Sequence, residues 1–432
     1  MFNFRKQVAC LAVVVVALIA VMPLATVGAQ STDMASSIRV SVVAGAMQDT
    51  MTKLVKNYQD ANPGVTVSLE LEPEGGAFQA LIAAGNQPDL IITSFGPMLG
   101  TLAAQDAAAN MDDMSDSAAL FERLNPAAVQ KLSGHHFYVP IGADVTLMIY
   151  NKALFTEAGL DPEKPPATWD EFLAAAKAIN ALPVRANGDK VYGTLFWNEA
   201  LQWGGWYWNT LQPIYLNANG GNCQLLNALG TDVVFDREEC KMKDFFGFVK
   251  DAQQYAPPTM EKNFFGRNVG MWMQYGYSWE PNLKSALEKP MVIGDDVGIA
   301  PVPVPAAGDP SFTTLGGRAL MILKTAPDRE ARAWDFIKFL MQDENNLQFI
   351  QELGYLPFVT ALASDPYFQE PARQPFVESM KNGRVPEQFA AAEKVAAAVQ
   401  GVYQKVVVEG SVPLDDAVSQ AAADARAALK AK

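Results

Sequence analysis

Hydrophobic and polar positions repeat with two different periods along the chain, which predicts strands and helices in turn. Residues 38–43 and 65–71 are apolar with strand character, whereas the apolar positions of 50–59 (TMTKLVKNYQ) recur every three or four residues. A short helix at 78–84 and a strand at 89–93 follow. Strands separated by helical segments of this kind are typical of βαβ units, so the pattern predicts an α/β fold with a mostly parallel sheet.

The middle and the end of the chain continue this mixture of elements. Residues 137–140 and 146–150 are predicted to form two strands of one ribbon, because few residues separate them. Thr168 and Glu171 have the spacing of a capping box at the start of a helix. The other predicted elements are strands at 192–196, 297–300 and 319–323, and helices at 240–254, 329–341 and in the alanine-rich tail after 386.

The first 29 residues are predicted to be an export signal. Arg5 and Lys6 precede an apolar run over 8–27, and small residues end the segment where a signal peptidase cuts. An uncleaved anchor is the alternative, and Cys10 lies too early for a lipoprotein cysteine. No second run reaches the ~18 apolar residues of a membrane span. The mature chain is therefore expected in a periplasm or at the outer cell surface.

Length and charge narrow the classes of function. A chain of 432 residues, half of them hydrophobic, has room for two well-packed domains. The net charge is −14, and loss of the two basic residues of the signal would make it about −16. Such an acidic protein repels phosphate backbones, so nucleic acid is not expected as a partner.

Two cysteines remain after the signal, Cys223 and Cys240, and an oxidising compartment favours a disulfide between them. A link of this loop length contributes roughly 3 kcal/mol in the chain-entropy model. Two buried free thiols are the alternative. The only histidines, His135 and His136, are adjacent and are expected to flank a hairpin turn. No metal site and no cofactor are predicted.

The sequence lacks the motifs of common enzymes. It has no G-x-S-x-G, no H-E-x-x-H and no glycine pattern of a P-loop or a dinucleotide site. A pair of glycosidase carboxylates remains an alternative, because nothing in the sequence distinguishes such a pair from the other acidic residues. The sequence favours a protein that is not an enzyme.

Aromatic residues concentrate between 197 and 279, where six of the eight tryptophans lie. Flat rings suit the apolar faces of sugars, while carboxylates and amides bond the hydroxyl groups. Burial in the core is the alternative for any single tryptophan.

Four of these tryptophans occur within WNEALQWGGWYWN, residues 197–209. If Asn198 caps a helix, successive side chains rotate by about 100°, and the rings cannot all share one face. Trp208 is then predicted in the core. For Trp206 the sequence does not distinguish between the core and the ligand site. The residues assigned to a ligand are Trp197, Glu199 and Trp203.

Several longer segments follow one another in a recognisable order over nearly the whole mature chain. They are YQDANPGVTV (58–67), LIAAGNQPDLI (81–91), FYVPIGADVTLMIYNKALFTEAGL (137–160), PPATWDEFLAAAKAI (165–179), FFGRNVGMWMQYGYSW (264–279), APVPVP (300–305), LGGRALMI (315–322), AWDFIKFL (333–340) and GYLPFVTAL (354–362). In this order the chain resembles the extracellular solute-binding proteins of bacterial ABC importers, in the family of maltose and other carbohydrate binders.

The resemblance implies a fold of the periplasmic-binding-protein type, with two α/β lobes and a ligand cleft between them. Three crossings would join the lobes, near 142–145, 301–305 and 353–356. The implied lobes are 36–142 plus 303–354 at the N-terminal side and 143–302 plus 355–432 at the C-terminal side.

Ligands of such sheets bind beyond the carboxyl ends of the strands, where the strand order switches. This rule points to Gln48 after the first strand and to Ser94 and Phe95 after the third. By the resemblance, polar or aromatic contacts follow that third strand, where the maltose-type binder has a large aromatic residue and this chain has Thr93 and Ser94.

The resemblance also assigns candidates later in the chain. A ligand-contacting acid just after the VPI strand would be Asp144, and an aromatic contact after GRNVGMWM would be Tyr277 or Trp279. A glycine pair that brings backbone close to the ligand includes Gly317, with Arg318 beside it.

The predicted function is that of a monomeric receptor that captures an oligosaccharide or a sugar alcohol by closing its lobes. It would deliver the sugar to the membrane permease subunits of an ABC importer. The alternatives are a non-sugar solute in the same fold, such as a polyol phosphate, nucleoside or peptide, and a carbohydrate-active enzyme. The positive charge of Arg318 is the reason that an anionic ligand is also an alternative.

Overall fold

The computed structural model describes residues 34–73, 77–196, 206–259, 263–276 and 280–430, and these contain two β-sheets. The strands of the first sheet are β1 (Ser37–Val42), β2 (Thr66–Leu71), β3 (Leu90–Ser94), β4 (Val139–Val145), β9 (Thr313–Ile322) and β10 (Gly383–Arg384). Their order is β10-β9-β3-β1-β2, with β4 also paired to β9. β1 is parallel to both β2 and β3, as the βαβ pattern predicts. The prediction of a mostly parallel sheet is wrong beyond these strands, because β9 returns from the second sheet and pairs antiparallel with β3 and β4.

The strands of the second sheet are β5 (Leu147–Asn151), β6 (Tyr192–Thr194), β7 (Val269–Tyr275) and β8 (Val297–Ala300). Their order is β6-β7-β5-β8. The predicted ribbon of 137–140 with 146–150 is wrong, because β4 pairs with β9 whereas β5 pairs with β7 and β8. The single residue between β4 and β5 is too short for a hairpin turn, which needs at least two.

That single residue, Thr146, is buried and carries the chain from one sheet to the other. Its backbone N–H donates to Thr313 Oγ1 over 3.0 Å, and the Thr313 hydroxyl donates back to the Thr146 carbonyl. Thr313 begins β9 after the chain has returned from β8 in the second sheet. One side chain thus ties together the two places where strands pass between the sheets.

Helices cover the sheets and form much of the second half of the chain. Thr168 caps α6 in the predicted capping box, in which the Glu171 carboxylate accepts from the Thr168 N–H. The helices are α1 (Ala46–Ala61), α2 (Ala77–Ala83), α3 (Pro97–Ala104), α4 (Ser117–Glu122), α5 (Lys152–Glu157), α6 (Trp169–Asn180), α7 (Gln212–Ala218), α8 (Met242–Gln253), α9 (Glu280–Lys284), α10 (Pro327–Leu340), α11 (Asp343–Leu353), α12 (Gln374–Ser379), α13 (Ala392–Val402) and α14 (Leu414–Lys430).

Buried apolar side chains form two cores. The first covers the first sheet, contains Trp334 of α10 and extends to second-sheet residues such as Leu147 and Trp272. The second contains Trp206 and the buried faces of α8, α13 and α14. Buried residues between Tyr355 and Val385 belong to the first core, and Leu356 bridges to Ala143 of β4. The lobe boundaries stay a prediction.

The predicted disulfide between Cys223 and Cys240 is present, with the two Cα atoms 5.4 Å apart. Cys240 is fully buried and Cys223 nearly so, so the link lies inside the second core. Within the described ranges no helix is both long and apolar enough to cross a membrane. The predicted export signal lies outside the described residues.

Candidate functional site

A cavity of about 420 Å³ lies where side chains of both cores meet. Phe95 and Tyr355 of the first core and Trp208 of the second supply its aromatic surface. The lining residues are Thr93, Ser94, Phe95, Gly96, Pro97, Met98, Asp144, Thr146, Trp208, Asn209, Thr314, Gly316, Gly317, Arg318, Tyr355, Pro386 and Glu393. This mixture of rings with hydroxyl, amide and charged groups is typical of a small-ligand site.

Sheet register brings the first polar groups of the cavity together. β9 lies between β3 and β4, and Arg318 is paired with Ser94 on one side and Gly142 on the other. Asp144 is opposite Gly316 in the same ladder. The polar wall is therefore made by three neighbouring strands, not by one loop.

Arg318 is held in a fixed position by neutral groups. Its Nη1 donates to Ser94 Oγ over 2.8 Å, and its Nε donates to the Tyr355 hydroxyl over 2.9 Å. A guanidinium group has five N–H donors, so these two bonds leave donors for a ligand. Burial raises the pKa of the nearby Glu72 carboxyl, and the positive charge of Arg318 opposes that shift.

Backbone atoms approach each other closely beside Arg318. Gly317 has a φ of +128°, and a Cβ built on it would lie 2.1 Å from the Gly142 carbonyl oxygen. Only glycine fits there without moving β4, which explains the second glycine of the pair. Gly316 has no such restriction, because its nearest neighbour is the Asp144 carbonyl oxygen at 3.9 Å.

A π-helical turn, Tyr207–Leu211, contributes Trp208 and Asn209 to the lining of the cavity. Turns of this kind widen the helix and are frequent at functional sites. Thr314 Oγ1 donates to the Trp208 carbonyl over 2.7 Å, and Gln400 Oε1 accepts from the Tyr207 N–H over 3.1 Å. Side-chain partners thus stabilise the irregular turn.

The Trp208 indole N–H faces a buried carboxyl group. It lies 3.5 Å from Glu387 Oε2, while Glu387 Oε1 accepts from the Leu226 N–H over 2.8 Å. Glu387 is 6% exposed. Burial raises the pKa of its carboxyl to about 7, and the hydrogen bonds from Leu226 and Trp208 oppose the rise.

The residues predicted for a ligand divide into three groups. Ser94, Phe95, Asp144, Gly317 and Arg318 line the cavity together. Gln48 lies on the exposed face of α1 and is not among the lining residues, because Met47, Thr50 and Met51 take the buried face of that turn. The predicted residues outside the described ranges are Trp197, Glu199, Trp203, Tyr277 and Trp279.

Other lining residues were not predicted. Trp208 is 4% exposed and packs in the second core, as predicted, but its ring also lines the cavity. Thr314 and Tyr355 reach the cavity through strand register and through packing of the Tyr355 ring over Gly142. No local sequence signal marks these long-range contacts.

Metal-binding chemistry is not evident in the described ranges, where no three His, Cys, Asp or Glu side chains form a group that could hold an ion. His135 pairs with Leu132 across a tight turn, in agreement with the hairpin prediction. The His136 ring nitrogen Nδ1 lies 2.6 Å from Asp112 Oδ1 at the surface.

The sequence matches a family model described as bacterial extracellular solute-binding protein over residues 44–347. The sn-glycerol-3-phosphate-binding periplasmic protein of Pectobacterium atrosepticum is 28% identical over 245 residues, covering 53% of this chain and 50% of that protein. The chain thus spans about half the length of this relative. A binding protein of Brucella abortus is 25% identical over 395 residues, covering 87% of this chain and 88% of that one.

Solved structures with the same architecture cover nearly the whole chain. A cyclic alpha-maltosyl-1,6-maltose binding protein from Arthrobacter globiformis has a TM-score of 0.77 and 24% identity, with 92% of this chain and 99% of that one covered. The GacH receptor of Streptomyces glaucescens, solved unliganded and with acarbose, has a TM-score of 0.73 and 20% identity, with coverage of 91% and 98%. These likenesses confirm the predicted two-lobed periplasmic-binding-protein fold.

Proposed function

We propose that this chain, which belongs to the family of bacterial extracellular solute-binding proteins, is the carbohydrate receptor of an ABC importer. The observation that carries the proposal is the cavity, in which Trp208 and Tyr355 present aromatic surface beside Asp144, Asn209 and Arg318. Aromatic faces pack against the C–H faces of a sugar ring, and the polar groups bind its hydroxyls. The volume of about 420 Å³ suits a mono- to trisaccharide.

The mechanism follows from the position of the cavity. Its walls come from both cores, so a sugar gains its full set of contacts only when both walls touch it. Binding then favours the closed arrangement in proportion to the difference in affinity between the two states. The closed receptor would dock on the permease subunits as a monomer and release the unchanged sugar. No chemical step is proposed, and the protein would act outside the cytoplasmic membrane, in a periplasm or at the cell surface.

One observation favours a second ligand class. Arg318 presents a guanidinium group at the cavity, and bidentate hydrogen bonding to phosphate is a common use of that group. Relatives that bind sn-glycerol-3-phosphate match about half of this chain. A polyol phosphate is therefore the alternative ligand, and Asp144, which would repel it, is the argument for a neutral sugar.

Calorimetric titration with maltose, maltotriose, mannobiose, tagatose and sn-glycerol-3-phosphate tests the proposal. We expect micromolar binding of a neutral sugar, with a Kd that is nearly independent of salt. Tight binding of the phosphate alone, weakened by salt and by Arg318→Met, would replace the sugar with the anion. Mass spectrometry after long incubation checks that the bound sugar stays intact. Turnover that persists in the purified protein would mean that it is an enzyme.

The predicted ligand residues outside the described ranges need their own test. Trp203→Ala is expected to abolish sugar binding with little change in melting temperature. Trp206→Ala is the matched control, because Trp206 is 1% exposed and packs on Tyr403 in the second core. The control should lower the melting temperature by several degrees. The reverse pattern would assign Trp203 to the core.

A further inference from the structure

A second, larger cavity of about 910 Å³ adjoins the ligand cavity across the segment 385–390. Pro386 lines both cavities, Trp208 lines only the first, and Glu387 lines only the second. The wall between the cavities therefore contains the contact between the Trp208 indole and the Glu387 carboxyl. One face of the Trp208 side chain is available to a ligand, while its N–H points to a carboxyl outside that cavity.

The groups that hydrogen-bond to Glu387 are all donors, namely the N–H groups of Leu226 and Leu225 and the indole of Trp208. The Leu226 N–H lies at 2.8 Å and the Trp208 indole N–H at 3.5 Å. An ionised carboxylate accepts from all of them. A protonated carboxyl accepts more weakly and adds a donor of its own, so its bonds to these donors weaken. The long bond to Trp208 is the one that costs least to lose.

No cation is within ion-pair distance of Glu387 in the described part of the chain, so its proton equilibrium depends on burial and on its donors. The titratable groups that face it are the phenols of Tyr207 and Tyr215, whose pKa values are raised well above the ordinary value by burial and by the charge of Glu387. Both phenols thus stay neutral near pH 7. Lys131 lines the same cavity as Glu387. Arg384 and Asp236 on neighbouring segments contact the Phe312 ring and Arg426.

We propose that Glu387 is a positioning residue for the ligand site, and that its ionised carboxylate holds the Trp208 indole in the orientation that the ligand meets. Protonation of Glu387 releases the indole N–H and lowers the affinity of the site. The second part of this inference rests on the proposed function, because it needs a ligand that contacts Trp208. The first part concerns the free protein alone. Glu387 does not itself line the ligand cavity, so it acts through the ring.

The free protein provides the decisive experiment. Wild-type protein with ¹⁵N-labelled tryptophan is titrated from pH 5 to 9, and its indole signals are followed by two-dimensional NMR. Trp208→Phe assigns the Trp208 signal by its absence. We expect that signal to titrate with a midpoint near pH 7, following the carboxyl of Glu387, whose pKa burial raises to about 7. In Glu387→Gln, which keeps the shape but not the charge, the signal should not move with pH.

Trp334 is the internal control for the titration. Its indole donates to the Ser115 carbonyl over 2.8 Å in the first core, so its signal should stay constant over the same range. A wild-type Trp208 signal that is equally constant would overturn the inference. This measurement needs no variant at position 387, so a failure of Glu387→Gln to fold would not prevent the decision.

The affinity for maltotriose tests the second part. We expect the Kd of wild type to rise about three- to tenfold from pH 8.5 to pH 5.5, the value of one hydrogen bond. Glu387→Gln should bind as weakly at pH 8.5 as wild type does at pH 5.5. Equal affinities at both pH values, together with a titrating Trp208 signal, would refute the effect on the ligand. Absence of maltotriose binding at any pH would count against the proposed function and leave the NMR result as it stands.

Discussion

Replacement of Gly317 by alanine tests how the ligand cavity is built. Gly317 is opposite Ala143 in the ladder of β9 with β4 and has a φ of +128°. An added Cβ would lie 2.1 Å from the Gly142 carbonyl oxygen and 2.9 Å from the Ala143 Cα. Both neighbours are backbone atoms, so no side-chain rotation relieves the clash. β4 must move away from β9, or β9 must change its backbone conformation.

The cost has two parts. A non-glycine residue in a sparsely populated backbone region costs about 1–3 kcal/mol. Overpacking against an immobile neighbour adds about 1–3 kcal/mol. A total of about 2–6 kcal/mol, divided by an unfolding entropy of roughly 2.1 cal/mol/K per residue over ~400 residues, lowers the melting temperature by about 2–7 °C. Affinity for the sugar should fall as well, because Arg318 and Asp144 are attached to the same two strands.

Scanning calorimetry of Gly317→Ala and Gly316→Ala in parallel measures this effect. Gly316 lines the same cavity and neighbours Gly317, but its nearest non-adjacent atom is 3.9 Å from the added carbon. We expect Gly316→Ala to melt within about 1 °C of wild type. The reasoning is refuted if Gly317→Ala also melts within 1 °C, or if the two variants lose the same stability.

Three further predictions follow from other contacts. Reduction of Cys223–Cys240 should lower the melting temperature by about 3–4 °C, the value of roughly 3 kcal/mol for a chain of this size, as measured by calorimetry with and without a phosphine reductant. Burial raises the pKa of Glu387 to about 7 in the folded protein, so the unfolded chain releases this proton at a lower pH than the folded protein does. The free energy of unfolding of the wild type should therefore fall by up to about 3 kcal/mol as the pH rises from 4.5 to 8. Urea unfolding should show no such loss in Glu387→Gln. Tyr355→Phe removes the acceptor of Arg318 Nε and should weaken ligand binding about three- to tenfold in calorimetric titration, with an unchanged Kd contradicting a role for the fixed guanidinium.

Local patterns in the sequence were sufficient to predict many elements of the fold. The strand at 297–300 has the same bounds in the structure, and the capping box at Thr168 begins the helix that it predicts. Such features depend on residues that are close in sequence, where periodicity and turn chemistry determine the conformation. The disulfide was also predictable, because only two cysteines remained to pair.

The rest depends on contacts between distant segments. The strands on either side of Thr146 are each typical of a strand, but only the register with β9 and β7 shows that they belong to different sheets. Trp208 has the burial expected of a core residue, and its role in the cavity wall arises from the π-helical turn and from Glu387, which is 179 residues away in sequence. No local pattern contains that information.

The hydroxyl of Thr313 would have a mechanical consequence in the proposed receptor. Because it bonds both the N–H and the carbonyl of Thr146, the outgoing and the returning strand cannot slide past each other without breaking both bonds. The two passages are therefore coupled, and in the proposed receptor they would move together when the lobes move. This coupling depends on one hydroxyl group that the sequence presents as one threonine among several.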